Sequence, residues 1–152
     1  MTGSLKEYSD LYRLPGPWCT AYVDAGTGTV DTLEAADVRP GNTRAALEAQ
    51  GASPADLDAV EEARQPETGL PSPVSRFVLV HQGKVELNEV LPGDRVGAER
   101  ISVDPIPDLL QLVKHRPEDF PYIVAEVSRE HGEIRLHYAG AGSAASIEEV
   151  QG

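Results

Sequence analysis

Cysteine is almost missing from this chain: Cys19 is the only one in 152 residues. That excludes an internal disulfide and a cysteine-built zinc cage. Long apolar runs are missing as well, since nothing approaches the roughly 18 to 20 residues that a transmembrane helix needs. Met1 to Asp10 has neither the basic start nor the apolar core of a signal peptide, so the expected location is cytoplasmic. Positive charge is scarce, with 13 Lys and Arg against 25 Asp and Glu and a formal net charge of −12. The net field repels phosphate backbones, which excludes a dedicated nucleic-acid binder unless a local basic patch exists. There is no repeat with a period of about 20 to 50 residues. Neither G-x-x-x-x-G-K-[ST] nor a helix-opening G-x-G-x-x-G occurs.

What remains is the composition of an ordinary globular chain, 40% hydrophobic and 25% charged. Its length suits one domain that buries roughly two-thirds of its unfolded surface. Leu5, Tyr8, Leu11 and Tyr12 recur at helical spacing after Ser4, predicting a helix over Leu5 to Arg13 that Leu14-Pro15-Gly16-Pro17 stops. Trp18 to Asp24 reads as a strand, Ala25 to Thr29 as a turn, and Thr32 to Val38 as a weak helix broken by Pro40-Gly41. Thr43 to Gln50 is helical with Gly51 just past its end, and Ser53 with Asp56 resembles a capping box opening a helix to about Arg64. Gln65 to Pro73 reads as a Pro-rich linker.

Val74 to Gln82 and Val85 to Leu91 form a hairpin pattern around Gly83-Lys84. Arg95 to Val103 adds an extended piece, and Pro107 to His115 reads as a helix with Leu109, Leu110 and Val113 facing inward. Tyr122 to Ser128 and Glu133 to Tyr138 predict a second hairpin. Ala139 to Gly152 offers small residues and acids with nothing to pack on, and is expected to be mobile. The fold class that follows is α/β in the α+β sense: a two-layer sandwich, mostly antiparallel, with helices on one face.

No set of side chains converges on a catalytic centre. Asp24-Ala25-Gly26-Thr27-Gly28-Thr29 after a strand has the form of a phosphate loop, in which Gly26 to Thr29 would wrap an anion and Asp24 would hold magnesium. The partner loop that such nucleotide sites require is missing, and a flexible turn explains the same residues. His81, His115, His131 and His137 fall in a strand, a helix end, a turn and a strand, with no metal-ligand spacing. Cys19 beside Trp18 reads as a small buried hydrophobe. Glu34, Glu48, Asp56, Asp58, Glu61 and Glu62 read as a solvated helical face. Arg39, Arg44, Arg64 and Arg76 are the one group that could form a local basic patch for RNA, although ion pairs with those acids account for them equally. No catalytic residue, metal or cofactor is expected.

Several segments in order resemble the first domain of actinobacterial proteins of the archaeo-eukaryotic release factor superfamily, relatives of Pelota and of the hibernation factor Balon. They are Pro15-Gly16-Pro17-Trp18 with Tyr22-Val23-Asp24, then Arg44-Ala45-Ala46-Leu47-Glu48-Ala49-Gln50-Gly51-Ala52. The hairpin Ser75-Arg76-Phe77-Val78-Leu79-Val80 with Gly83-Lys84-Val85-Glu86-Leu87 follows. Pro107, Leu109-Leu110 and Pro121-Tyr122-Ile123-Val124-Ala125-Glu126-Val127 complete the set, which covers most of Leu5 to Tyr138.

The resemblance implies a first domain over 1–120, the opening hairpin of an RNase H-like middle domain over 121–138, and a tail over 139–152. It also implies binding to the ribosome and its rRNA. Peptide release in such proteins belongs to a glycine-rich loop of the middle domain, which these residues do not include. No lysine-containing decoding loop is present, so rescue, stress or hibernation binding is expected rather than codon-specific termination. Two alternatives stay open: a nucleotide- or phosphate-binding enzyme using Asp24 to Thr29, and an acidic interaction module for a protein with a basic surface.

Overall fold

The structure, a computed structural model, describes residues 5–25, 42–65 and 73–151. The chain is α+β, with a four-stranded and a three-stranded antiparallel sheet. It divides into two compact units, Met1–Gln111 and Leu112–Gly152. The expected Ala25–Thr29 turn (beyond Ala25), the Thr32–Val38 helix and most of the Gln65–Pro73 linker lie outside the described residues.

In the first unit, helix α1 (Leu5–Leu11) precedes strand β1 (Trp18–Asp24). Helix α2 covers residues 42–49 and α3 spans Pro54–Ala63. Strands β2 (Val74–His81), β3 (Lys84–Pro92) and β4 (Arg100–Asp104) complete the sheet in the order β3-β2-β1-β4. Alternation along the strands sorts side chains onto two faces. Cys19 and Ala21 of β1, Val78 and Val80 of β2, and the partly buried Ile101 and Val103 of β4 share one face. Leu47 of α2 and Leu57, Ala59, Val60 and Ala63 of α3 close over it, forming one apolar core.

The opposite face is also buried. Trp18, Tyr22, Phe77 and Leu79 are fully enclosed, so β1 and β2 are covered on both sides. Part of that cover comes from connecting segments: Pro15 O accepts from His81 Nε2, and Val96 N donates to Tyr22 OH at 2.7 Å. The near-continuous apolar sequence of β2 fits a strand without a wet face.

Local signals were close to their structural counterparts. Ser53 caps α3, its Oγ accepting from Asp56 N at 3.2 Å, and Gly51 past α2 has φ +89°. The β2–β3 turn lies one residue earlier than the sequence suggests. Gln82 (φ +49°) and Gly83 (φ +74°) both hold positive φ, the requirement of a two-residue type I′ hairpin turn. The Asp56 carboxylate accepts from Gly83 N at 2.6 Å and so fastens this turn to α3.

Helix α4 spans Leu110–His115, starting later than expected. Of the expected inward set Leu109 is buried and Val113 half-buried, but Leu110 is 53% exposed and Leu112 is buried in its stead. Three-residue spacing puts 109 and 112 on one face, and Leu110 falls outside it. A short 3₁₀ turn, Pro117–Asp119, precedes strands β5 (Pro121–Val127), β6 (His131–Tyr138) and β7 (Ser146–Gln151), which pair in sequence order. Strand β7 corrects the expectation of a mobile tail. Ser146-Ile147-Glu148-Glu149-Val150-Gln151 carries only two large apolar residues, but its backbone pairs with β6 from Leu136↔Ser146 to His131↔Gln151.

Candidate functional site

Asp24 ends β1 where the phosphate-loop reading requires it, but its carboxylate is engaged. Oδ1 accepts from Arg95 Nε at 2.9 Å, and this hydrogen bond raises the guanidinium pKa above its ordinary value. Around the pair, Tyr22 OH accepts from Val96 N and Ser75 Oγ donates to Gly93 O at 3.0 Å. Burial pushes the Tyr22 phenol up. These bonds tie the 93–97 connection to the end of the sheet. Gly26, Thr27, Gly28 and Thr29 lie outside the described residues; of the loop's start, Ala25 N bonds Val74 O, and the partner of Asp24 is a cation of the chain itself.

Three of the four arginines proposed for RNA contact lie among the described residues, and each has a partner within the chain. Arg44 Nη1 donates to Asp58 Oδ1 at 2.9 Å and to Glu61 Oε2 at 2.7 Å, bridging α2 to α3. The Asp58 hydrogen bond, with Glu61 adding to it, raises its pKa. Arg76 is only 3% exposed; its Nη1 donates to Ala63 O at 3.0 Å and Asn88 Oδ1 at 2.9 Å. Arg76 therefore cannot serve as a surface RNA contact, because it sits between the sheet and the end of α3. Arg64 is half-buried and has a partner of its own. Arg39 lies outside the described residues.

The histidines are dispersed and used locally. The His81 ring stacks on Trp18 at 4.4 Å, and the His137 ring stacks on Tyr122 at 5.2 Å. Among the described residues no three His, Cys, Asp or Glu side chains come together as metal ligands. Cys19 is enclosed, and burial first, then Asp56, pushes its thiol pKa up to about 12. It is a packing residue rather than a nucleophile at neutral pH.

Sequence reading missed two features. One is Trp18 with His81, which face each other across β1 and β2; only the strand pairing reveals the stack. The other is Gln50, whose side-chain amide donates to Ile101 O and accepts from Val103 N, both at 3.0 Å. That amide substitutes for a neighbouring strand along edge strand β4.

The second unit presents a different arrangement. Cross-strand partners place Ile123, Val127, Ile134, Leu136 and Val150 on one face of its sheet. The other face carries Glu126, Glu133 and Arg135, and Arg135 bonds both acids, at 2.7 and 3.2 Å. A hollow of ≈ 300 Å³ opens over Ala125, Val127, Ile134 and Val150 beside the β5–β6 turn. No helix among the described residues is long and apolar enough to cross a membrane. Compared with known proteins, the chain matches no family model and no curated relative.

Proposed function

We propose that this protein is a ribosome-associated binding module of the release-factor-like type, acting in rescue, stress or hibernation rather than in catalysis. The observation that carries the reading is the order of the resembling segments along the fold. They fall on the α1–β1 junction, on α2 with its trailing Gly51, on the β2–β3 hairpin, before and within α4, and on β5. In this reading β5 and β6 open an RNase H-like middle domain, and β7 extends that opening to three antiparallel strands.

Arg44 is the member of the original RNA-facing group that fits best. It is part-exposed, and its pairs with Asp58 and Glu61 lie at the surface, where solvent screens them and each is exchangeable for a phosphate. Co-sedimentation of the protein with ribosomes tests the proposal. The expected result is association that weakens as salt rises and that Arg44→Glu weakens further, with the fold retained by circular dichroism. Absence of association at low salt, from both growing and stressed cells, refutes the reading.

A further inference from the structure

The two faces of the β5–β6–β7 sheet differ in how much apolar surface they leave open. On one face Arg135 bonds both Glu126 and Glu133, and the exposed Tyr122 and Ile147 lie on the same side. On the apolar face Ile123 is 68% exposed and Val127 83% exposed, with Ile134 and Val150 also open. Clustered open apolar side chains of this kind mark binding surfaces.

We propose that this face docks a basic amphipathic helix of a partner protein. Three observations select that occupant. First, the hollow of ≈ 300 Å³ beside the β5–β6 turn has room for one large apolar side chain, the anchor through which helix-in-face recognition works. Second, β5 is seven residues long, about 23 Å at the rise of a strand, which a helix of about 15 residues matches.

Third, the charge at the border is of one prevailing sign. Glu148 stands on the apolar face opposite Ile134, and Glu130 lines the hollow. Neither takes part in an ion pair among the described residues, in contrast to Glu126 and Glu133. Arg129 is the only Lys or Arg lining the hollow. The chain as a whole carries −12, a field that attracts a cationic partner and repels both a second copy and an anionic membrane. Lysines beside the apolar stripe of the helix would meet Glu130 and Glu148. The inference does not rest on ribosome binding, and either can fail alone.

The test is fluorescence anisotropy of the whole protein with a labelled peptide of about 16 residues, Leu along one helical face, Lys elsewhere and one Trp in the stripe. The comparison peptide has the same composition with the stripe scrambled. The expected outcome is binding of the amphipathic peptide at least ten-fold tighter than the scrambled one. Val127→Asp and the milder Val127→Ser, both at an open position, weaken it, the former at least ten-fold. Glu130→Lys with Glu148→Lys weakens it at least three-fold and flattens its salt dependence. Equal binding of both peptides, or indifference to both Val127 variants, overturns the proposal. A dimer in sedimentation equilibrium that Val127→Asp dissociates also overturns it, by giving the face to a second copy.

Discussion

Replacing Asp56 tests how the hairpin is held to the helical layer. The side chain is 2% exposed, sits at the third position of α3, and accepts from Gly83 N at 2.6 Å. A hydrogen bond to a charged acceptor contributes about 1.5–3 kcal/mol. An acid in the first turn of a helix adds about 0.5 kcal/mol through the helix dipole. Asp56→Ala removes both and leaves the Gly83 amide without its acceptor, so the expected loss is about 2–3.5 kcal/mol. For a domain of this size that corresponds to a fall in Tm of about 10 °C. Asp56→Asn keeps an acceptor and loses the charge, and is expected to cost about half as much. Urea unfolding followed by circular dichroism gives the energies, and exchange of the Gly83 amide reports the turn directly. A cost for Asp56→Ala below about 0.5 kcal/mol refutes the clamp. So does an asparagine variant as damaged as the alanine one.

Gln50→Ala should cost about 1 kcal/mol and sharply accelerate exchange of the Val103 amide, whose acceptor it removes, while the amides of β2 stay protected. The Cys19 thiol ionises near 12 when folded against an ordinary 9.0, so its neutral form is favoured by folding. Its contribution is complete below pH 9 and is lost as pH rises from 9 towards 12. At pH 10 the loss is on the order of 1 kcal/mol, and Cys19→Ala should show a shallower alkaline loss in urea titrations. Arg76→Ala should destabilise by about 2–4 kcal/mol by stripping a buried donor from Asn88 and the end of α3, measured by the same unfolding.

Local chemistry was legible in the sequence. Ser53 as a cap, Gly51 past a helix, the Pro-bounded strand from Trp18 and the hairpin around Gly83 depend on neighbours within a few residues. What depends on distant pairing was not legible. A helix from Pro107 would carry Leu110 inward with Leu109, but Leu110 N bonds the Asp108 side chain at the helix start, and Leu112 rather than Leu110 joins Leu109 among the buried residues. Strand β7 has little apolar content of its own and forms because β6 offers a free backbone edge. Charge alone marks the candidate arginines in the sequence. Whether an arginine faces solvent or the carbonyl of Ala63 is decided by the β2–β3 register, which no local pattern reports.

The fate of those arginines bears on every functional reading. Arg44, Arg95, Arg100 and Arg135 each bond at least one carboxylate of the chain, and Arg76 is buried against a carbonyl and an amide. Cations that are scarce in composition are thus largely spent on holding elements together, and the excess of carboxylate is what reaches the surface. Binding to a polyanion must then come from exchanging such pairs at a few exposed points such as Arg44, each exchange costing little because the pair is solvated. Binding to a cation needs no exchange at all. A ribosome offers both chemistries, RNA and basic protein segments, and an acidic module of this design is better suited to the second. Arg44→Glu weakening ribosome association while Glu130→Lys with Glu148→Lys leaves it unchanged would place the contact on RNA. The opposite pattern would place it on basic protein.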